Sequence, residues 1–115
     1  MPNFNIKHED KVRLRHMLDA ALEIRQYVQS SMREDLDQDR KLVHSLVRLF
    51  EIIGEAANQV SQELREEVPE IPWSVLTGMR NRLIHAYFSI NLDVVWSTSK
   101  DDITMLITEL KKLLD

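Results

Sequence analysis

Apolar residues recur along almost the whole chain at intervals of three and four, and that regularity leaves a helical bundle as its architecture. The cleanest instance is Leu42, Leu46, Leu49, Phe50, Ile53, Ala56, Ala57, Val60 and Leu64, which predicts a helix over about 39–66. Val43, Val47 and Ile52 widen its apolar face to about half the circumference at 100° per residue. So broad a face places this helix at the centre of the bundle, touching several neighbours. Gly54 lies at the edge of the stripe, where glycine costs ~1 kcal/mol relative to alanine. Close approach of another backbone would account for it.

Three further helices follow from the same spacing. Leu14, Met17, Leu18, Ala21, Leu22, Ile24 and Val28 predict a first helix over about 8–32. The stretch Glu34–Asp39 breaks the pattern and supplies aspartates suited to capping the next helix. Val68-Pro69-Glu70-Ile71-Pro72-Trp73 ends the second helix, and Pro72 suits the first turn of a third running to about Tyr87. The fourth starts near Asn91 or Leu92, with Asp93 in its positive first turn. Its stripe is Val95, Ile103, Leu106, Leu110 and Leu113, flanked by Trp96, Ile107 and Leu114. No segment alternates as a strand would, and only 2 glycines and 3 prolines are present. The expected fold is an all-α, up-and-down bundle of four main helices in one domain over residues 1–115.

Composition narrows the function classes. The chain has no cysteine, so disulfides, thiolate-bound zinc and cysteine nucleophiles are excluded. No apolar run approaches the ~20 residues of a membrane span. The first eight residues lack an apolar signal region, so a cytoplasmic location without membrane contact is expected. Fifteen Lys/Arg against nineteen Asp/Glu give a net charge of −4. A protein that neutralises many phosphates on a long duplex would be basic. Contact with nucleic acid must come from a local cationic site or a partner, which fits a nuclease gripping a few nucleotides better than an architectural DNA binder.

The pattern is violated in one segment, Trp73–Tyr87. On a helical wheel Trp73, Leu76, Met79, Leu83 and Ile84 form an inward face, and Arg80 falls in the same stripe, with Tyr87 within about 20° of it. An arginine among core positions keeps its charge. It can snorkel, pair with a glutamate of the second helix, or face a wet cleft. Arg82 lies off the stripe and reads as a solvated side chain. His85 follows Arg80 by five residues, about 140° away on a regular helix. The two converge if the helix loosens near His85, or if a two-fold axis brings a second copy alongside. A lone histidine also has a purely structural reading. Asn81, four residues before His85, lies on its side of the helix and could orient the imidazole. Glu51 and Glu55 form a like-charge pair on the second helix that calls for a nearby cation, with Arg48, Arg80 and Arg82 as candidates.

His8, His16 and His44 are scattered. Without a His-Glu-x-x-His arrangement no zinc site is expected, and no P-loop, dinucleotide glycine motif or Gly-x-Ser-x-Gly occurs. No metal and no cofactor are expected.

The run Arg80-Asn81-Arg82-Leu83-Ile84-His85-Ala86-Tyr87 reads R-x4-H-x-Y and resembles the signature of HepT-like toxins in the HEPN superfamily. Leu49–Ala57 is similar to that family's "IIGEA" segment. Ile71-Pro72-Trp73, Gly78-Met79-Arg80-Asn81 and Asp93-Val94-Val95-Trp96 follow in matching order, so the resemblance spans about residues 10 to 113. It implies a homodimeric all-α HEPN domain with Arg80 and His85 of both subunits around a shared cleft. It also implies metal-independent RNA cleavage, with His85 as general base or acid, Arg80 stabilising charge on the phosphorane, and Asn81 in support. A histidine with an ordinary pKa of ~6.5 suits such proton transfer near neutrality. The partner implied is a minimal nucleotidyltransferase antitoxin that transfers AMP from ATP to Tyr87. That nucleotide would fill the anionic subsite beside Arg80 and repel substrate.

Two other readings stand beside the toxin ribonuclease. One is a non-catalytic helical module that binds and regulates a nucleotidyltransferase, which the broad apolar face of the second helix permits. The other is a nucleotide-binding domain without hydrolytic activity.

Overall fold

The computed structural model describes residues 5–86 and 89–115, with the side chains of His85 and Ala86 outside the description. Helix α1 (His8–Gln29) buries Leu14, Met17, Leu18, Ala21, Ile24 and Val28. A short helix, α2 (Asp35–Gln38), leads into α3 (Arg40–Gln59). The Asp39 side chain caps α3 by accepting from the Leu42 N–H at 3.0 Å, as the aspartate-rich connector leads one to expect. Helix α1 packs most extensively against α3 and next against the C-terminal helix. The side chains of Leu46, Phe50 and Ile53 are essentially sealed from solvent. Burying each such side chain stabilises the fold by about 1.5–3 kcal/mol, and Leu14, Met17 and Ile24 of α1 are sealed as completely.

The second predicted helix divides. Its regular part ends at Gln59, Val60 is extended at φ −67° and ψ 139°, and α4 (Gln62–Glu67) follows. Three hydrogen bonds at Ser61 fix the break. Its N–H and hydroxyl both donate to Asp10, at 2.8 and 2.6 Å, and its oxygen accepts from the Leu64 N–H at 3.2 Å. Asp10 is 5% exposed, so this carboxylate ties the start of α1 to the start of α4.

The third predicted helix departs further from expectation. It consists of α5 (Trp73–Thr77) and α6 (Met79–Leu83), joined at Gly78. The Trp73 indole N–H donates to the Val68 carbonyl at 2.9 Å and anchors the entry. The chain leaves the helix at Leu83, four residues before Tyr87. Strand β1 (Ile84–Ala86) pairs antiparallel with β2 (Ser89–Ile90) through an irregular register, so a small ladder stands where the end of the third helix and the connection to the fourth were expected. Two and three residues are too few for an alternating pattern to register in sequence. The Asn91 N–H closes the excursion onto the Leu83 carbonyl at 2.8 Å.

Asn91 then caps α7 (Leu92–Ser97), accepting from the Val94 N–H at 3.2 Å. A π-helical turn over Thr98–Asp102 packs against α1 and continues into α8 (Ile103–Leu114). The fold is an all-α bundle, and among the described residues no helix is long and apolar enough to cross a membrane.

Candidate active site

The sequence pattern sets Arg80 among inward residues, and the structure corrects this. The break at Gly78 interrupts the 100° step on which the wheel depends. Leu76, Met79 and Leu83 stay buried while Arg80 turns outward, its side chain 62% exposed. Its Nη1 donates to Glu51 Oε2 on α3, so of the alternatives open to this arginine the glutamate of the second helix is the one realised.

Glu51 is the more enclosed partner, with 20% of its side chain exposed. Its other oxygen lies 3.9 Å from Arg48 Nη1, which is also 3.5 Å from Glu55 Oε1. Two guanidinium groups therefore alternate with two carboxylates, and the like-charge pair on α3 has its cations. Arg82 pairs elsewhere, 3.5 Å from Asp102, and is exposed as expected.

A groove of about 440 Å³ opens beside this cluster, between α3 and the α5–α6 segment. Glu51, Glu55, Asn58, Thr77 and Arg80 supply its polar lining, with Phe50 and Gly54 beneath. Gly54 explains how the two elements come so close. A Cβ placed there would stand 2.8 Å from the Leu76 carbonyl oxygen. The missing side chain lets the α5 backbone rest on α3, which brings Arg80 within reach of Glu51.

Asn81 is exposed on α6, next to Arg80. The backbone of His85 lies in β1, two residues beyond the end of α6. The 140° separation of a regular helix therefore does not apply between Arg80 and His85. The His85 side chain and the whole of Tyr87 lie outside the described residues, so the described geometry is that of the arginine half of the motif. Asn58 and Thr77 are not singled out by the sequence. Both are ordinary polar residues on helix exteriors, and only the closeness of α3 and α5 makes them neighbours.

An exposed guanidinium held by a carboxylate at the mouth of a groove is equipped to meet an anion. Its remaining N–H groups offer a planar or tetrahedral oxyanion the charge-assisted hydrogen bonds that suit phosphate.

Comparison with known proteins gives this arrangement a family. Residues 17–113 match the family model described as "Ribonuclease HepT-like". A protein of Thermococcus cleftensis named as a probable ribonuclease HepT is 35% identical over 108 residues, 94% of this chain and 98% of its own length. A protein of Caldanaerobacter subterraneus, provisionally named as an RNase, is 36% identical over 101 residues, covering 88% of this chain and 90% of its own. A third, from Methanocaldococcus jannaschii and also provisionally named as an RNase, is 32% identical over 108 residues, or 94% and 89% of the two chains. No solved structure matches the chain. The resemblance seen in the R-x4-H-x-Y run and the segments around it thus extends over the bundle as a whole, and the chain belongs to the HepT-like ribonuclease family.

Proposed function

We propose that this protein is the ribonuclease toxin of a toxin–antitoxin pair, cleaving RNA without a metal at a site built from Arg80 and His85. The observation that carries the reading is the exposed Arg80 guanidinium, fixed by Glu51 at the mouth of the α3–α5 groove, in a chain whose family is named for ribonuclease activity.

The chemistry follows from the residue types. His85 removes the proton of a ribose 2′-hydroxyl or delivers one to the leaving 5′-oxygen. The 2′-oxygen attacks phosphorus as the P–O5′ bond breaks, and Arg80 faces the charge that builds on the non-bridging oxygens. Asn81, beside Arg80, supports the imidazole. A homodimer would set two such pairs around one cleft.

Tyr87, two residues beyond His85, serves as the acceptor of AMP from a minimal nucleotidyltransferase antitoxin. Its phenolic oxygen attacks the α-phosphorus of ATP and pyrophosphate leaves. The attached phosphodiester then lies where substrate phosphate would bind. Expression of the chain alone should arrest growth, and His85→Ala or Arg80→Ala should abolish the arrest. Co-expression with the nucleotidyltransferase should restore growth and add the mass of one or more AMP groups at Tyr87. Undiminished arrest by both variants would overturn the catalytic assignment, and an unchanged mass in rescued cells would overturn the modification.

A further inference from the structure

The chain is acidic overall, yet the first half of α3 carries Arg40, Lys41, His44 and Arg48, all exposed. At 100° per residue these four fall within an arc of about 100°, and Glu51 and Glu55 lie inside that arc. They therefore form one row along the polar side of the helix, and its last member touches both carboxylates of the Arg80 cluster.

Arg48 is held by its ion pairs with Glu51 and Glu55, but fold stability does not account for the cations before it. Arg40 and Lys41 stand in the first turn of α3, which contains no acidic residue. Backbone N–H groups there present partial positive charge, so cations are disfavoured. The capping carboxylate of Asp39 is engaged with the Leu42 N–H. Among the described residues Arg40, Lys41 and His44 take part in no ion pair. A cationic row kept at an unfavourable helix end, leading to an arginine at a groove, fits a polyanion laid along the helix.

We propose that Arg40, Lys41 and Arg48 form a track for the RNA backbone, holding phosphates on one side of the bond cleaved at Arg80. The proposal rests on the ribonuclease reading for its direction and on the row itself for its existence. From residue 40 to residue 48 the helix rises about 12 Å. That spans about four phosphates at the ~3.4 Å per nucleotide of a stacked strand, enough for each of the three cations to meet one. The row supplies the local cationic site that a chain of net charge −4 needs, and Glu51 and Glu55 mark where it ends. Single-stranded RNA is the occupant the row suits, because a chain of net charge −4 with one short row of cations lacks the extended basic surface that gripping a duplex requires.

The test is fluorescence anisotropy of the full chain with a long and a very short single-stranded RNA, across a salt series, beside cleavage assays on the same RNAs. The triple variant Arg40→Gln/Lys41→Gln/Arg48→Gln is compared with Lys11→Gln/Lys111→Gln/Lys112→Gln, which removes equal charge from other exposed positions. The track predicts that the first variant binds long RNA at least tenfold more weakly at low salt. The slope of log affinity against log salt should shrink by about 2, at ~0.7 for each single-strand phosphate no longer neutralised. In Arg40→Gln/Lys41→Gln alone, which leaves Arg48 on Glu51 and Glu55, affinity for the short RNA should stay unchanged, and the melting temperature should be no lower than in wild type. The control variant should change binding far less. Equal losses in the two variants would reduce the effect to bulk charge and overturn the track, as would wild-type binding by the first variant. Unaltered RNA binding with weakened affinity for an acidic protein would assign the row to a protein partner and likewise overturn it. A wild-type protein that binds RNA through the row without cutting it would instead remove the ribonuclease reading and leave the track standing.

Discussion

Glu51 on α3 accepts a hydrogen bond from Arg80 on α6, 29 positions later in the chain, and through its other oxygen faces Arg48. The pair joins the two elements that flank the groove and fixes where the motif arginine presents its charge. An exposed ion pair of this kind adds at most about 1 kcal/mol to stability. Its value is in orientation.

Glu51→Gln should therefore leave the melting temperature nearly unchanged while lowering kcat for RNA about tenfold, equivalent to ~1.4 kcal/mol of transition-state stabilisation. KM should not rise, since a negative charge has been removed from beside the phosphate position proposed at Arg80. Steady-state kinetics on one RNA substrate decide the matter. A variant with wild-type kcat would show that Arg80 needs no carboxylate to hold it.

Gly54→Ala sets two effects against each other. Alanine favours the helix by ~1 kcal/mol, but its Cβ would stand 2.8 Å from the Leu76 carbonyl oxygen, a backbone atom that cannot turn aside. The clash should prevail and destabilise the protein by about 1–3 kcal/mol. Cleavage should fall as well, because α5 and Arg80 move away from α3. Denaturant unfolding with unchanged or increased stability would mean that the two helices separate without cost.

How much of this is legible in the sequence depends on whether one unbroken helix carries the signal. Leu14–Val28 and Leu46–Leu64 repeat the helical period for several turns, and their burial matches the pattern closely. The segment Trp73–Tyr87 is as long as Leu14–Val28 but does not form one helix. Gly78 interrupts it and the helix stops at Leu83, so a wheel drawn through all of it misplaces Arg80. The pairing of Glu51 with a cation is foreseeable from the like charges at 51 and 55. The choice of Arg80 over Arg82 is not, because it depends on the turn at Gly78. Ser61, with Glu63 in the following first turn, does offer a capping signal for the break after Val60. The continuous apolar spacing through Leu64 conceals it.

The Asp10–Ser61 junction should matter for stability and not for chemistry. Asp10→Ala removes a buried acceptor from both the N–H and the hydroxyl of Ser61, at a cost of about 2–3 kcal/mol. Ser61→Ala, which keeps the N–H interaction, should cost about 1 kcal/mol. Cleavage per folded molecule should be unchanged in both. Thermal unfolding and activity measured on the same samples would expose any coupling to the site.

Arg82 provides the contrast with Arg80. It is two positions away, equally cationic, and paired with Asp102 across a surface where both side chains are nearly half exposed. Arg82→Ala should leave cleavage within about twofold and stability within ~1 kcal/mol. A loss comparable to that of Arg80→Ala would mean that the wrong arginine has been assigned to the phosphate.

Whether Arg80 and His85 together cut RNA is decided by a cleavage time course with purified protein in a chelating buffer. The protein is first confirmed by intact mass to be unmodified at Tyr87. Wild type should degrade the RNA to products ending in a 2′,3′-cyclic phosphate or its opened form, while Arg80→Ala and His85→Ala, folded as wild type, should leave it intact. RNA that survives the unmodified wild-type protein, or that both variants cut at the wild-type rate, would refute the joint role of the arginine and the histidine.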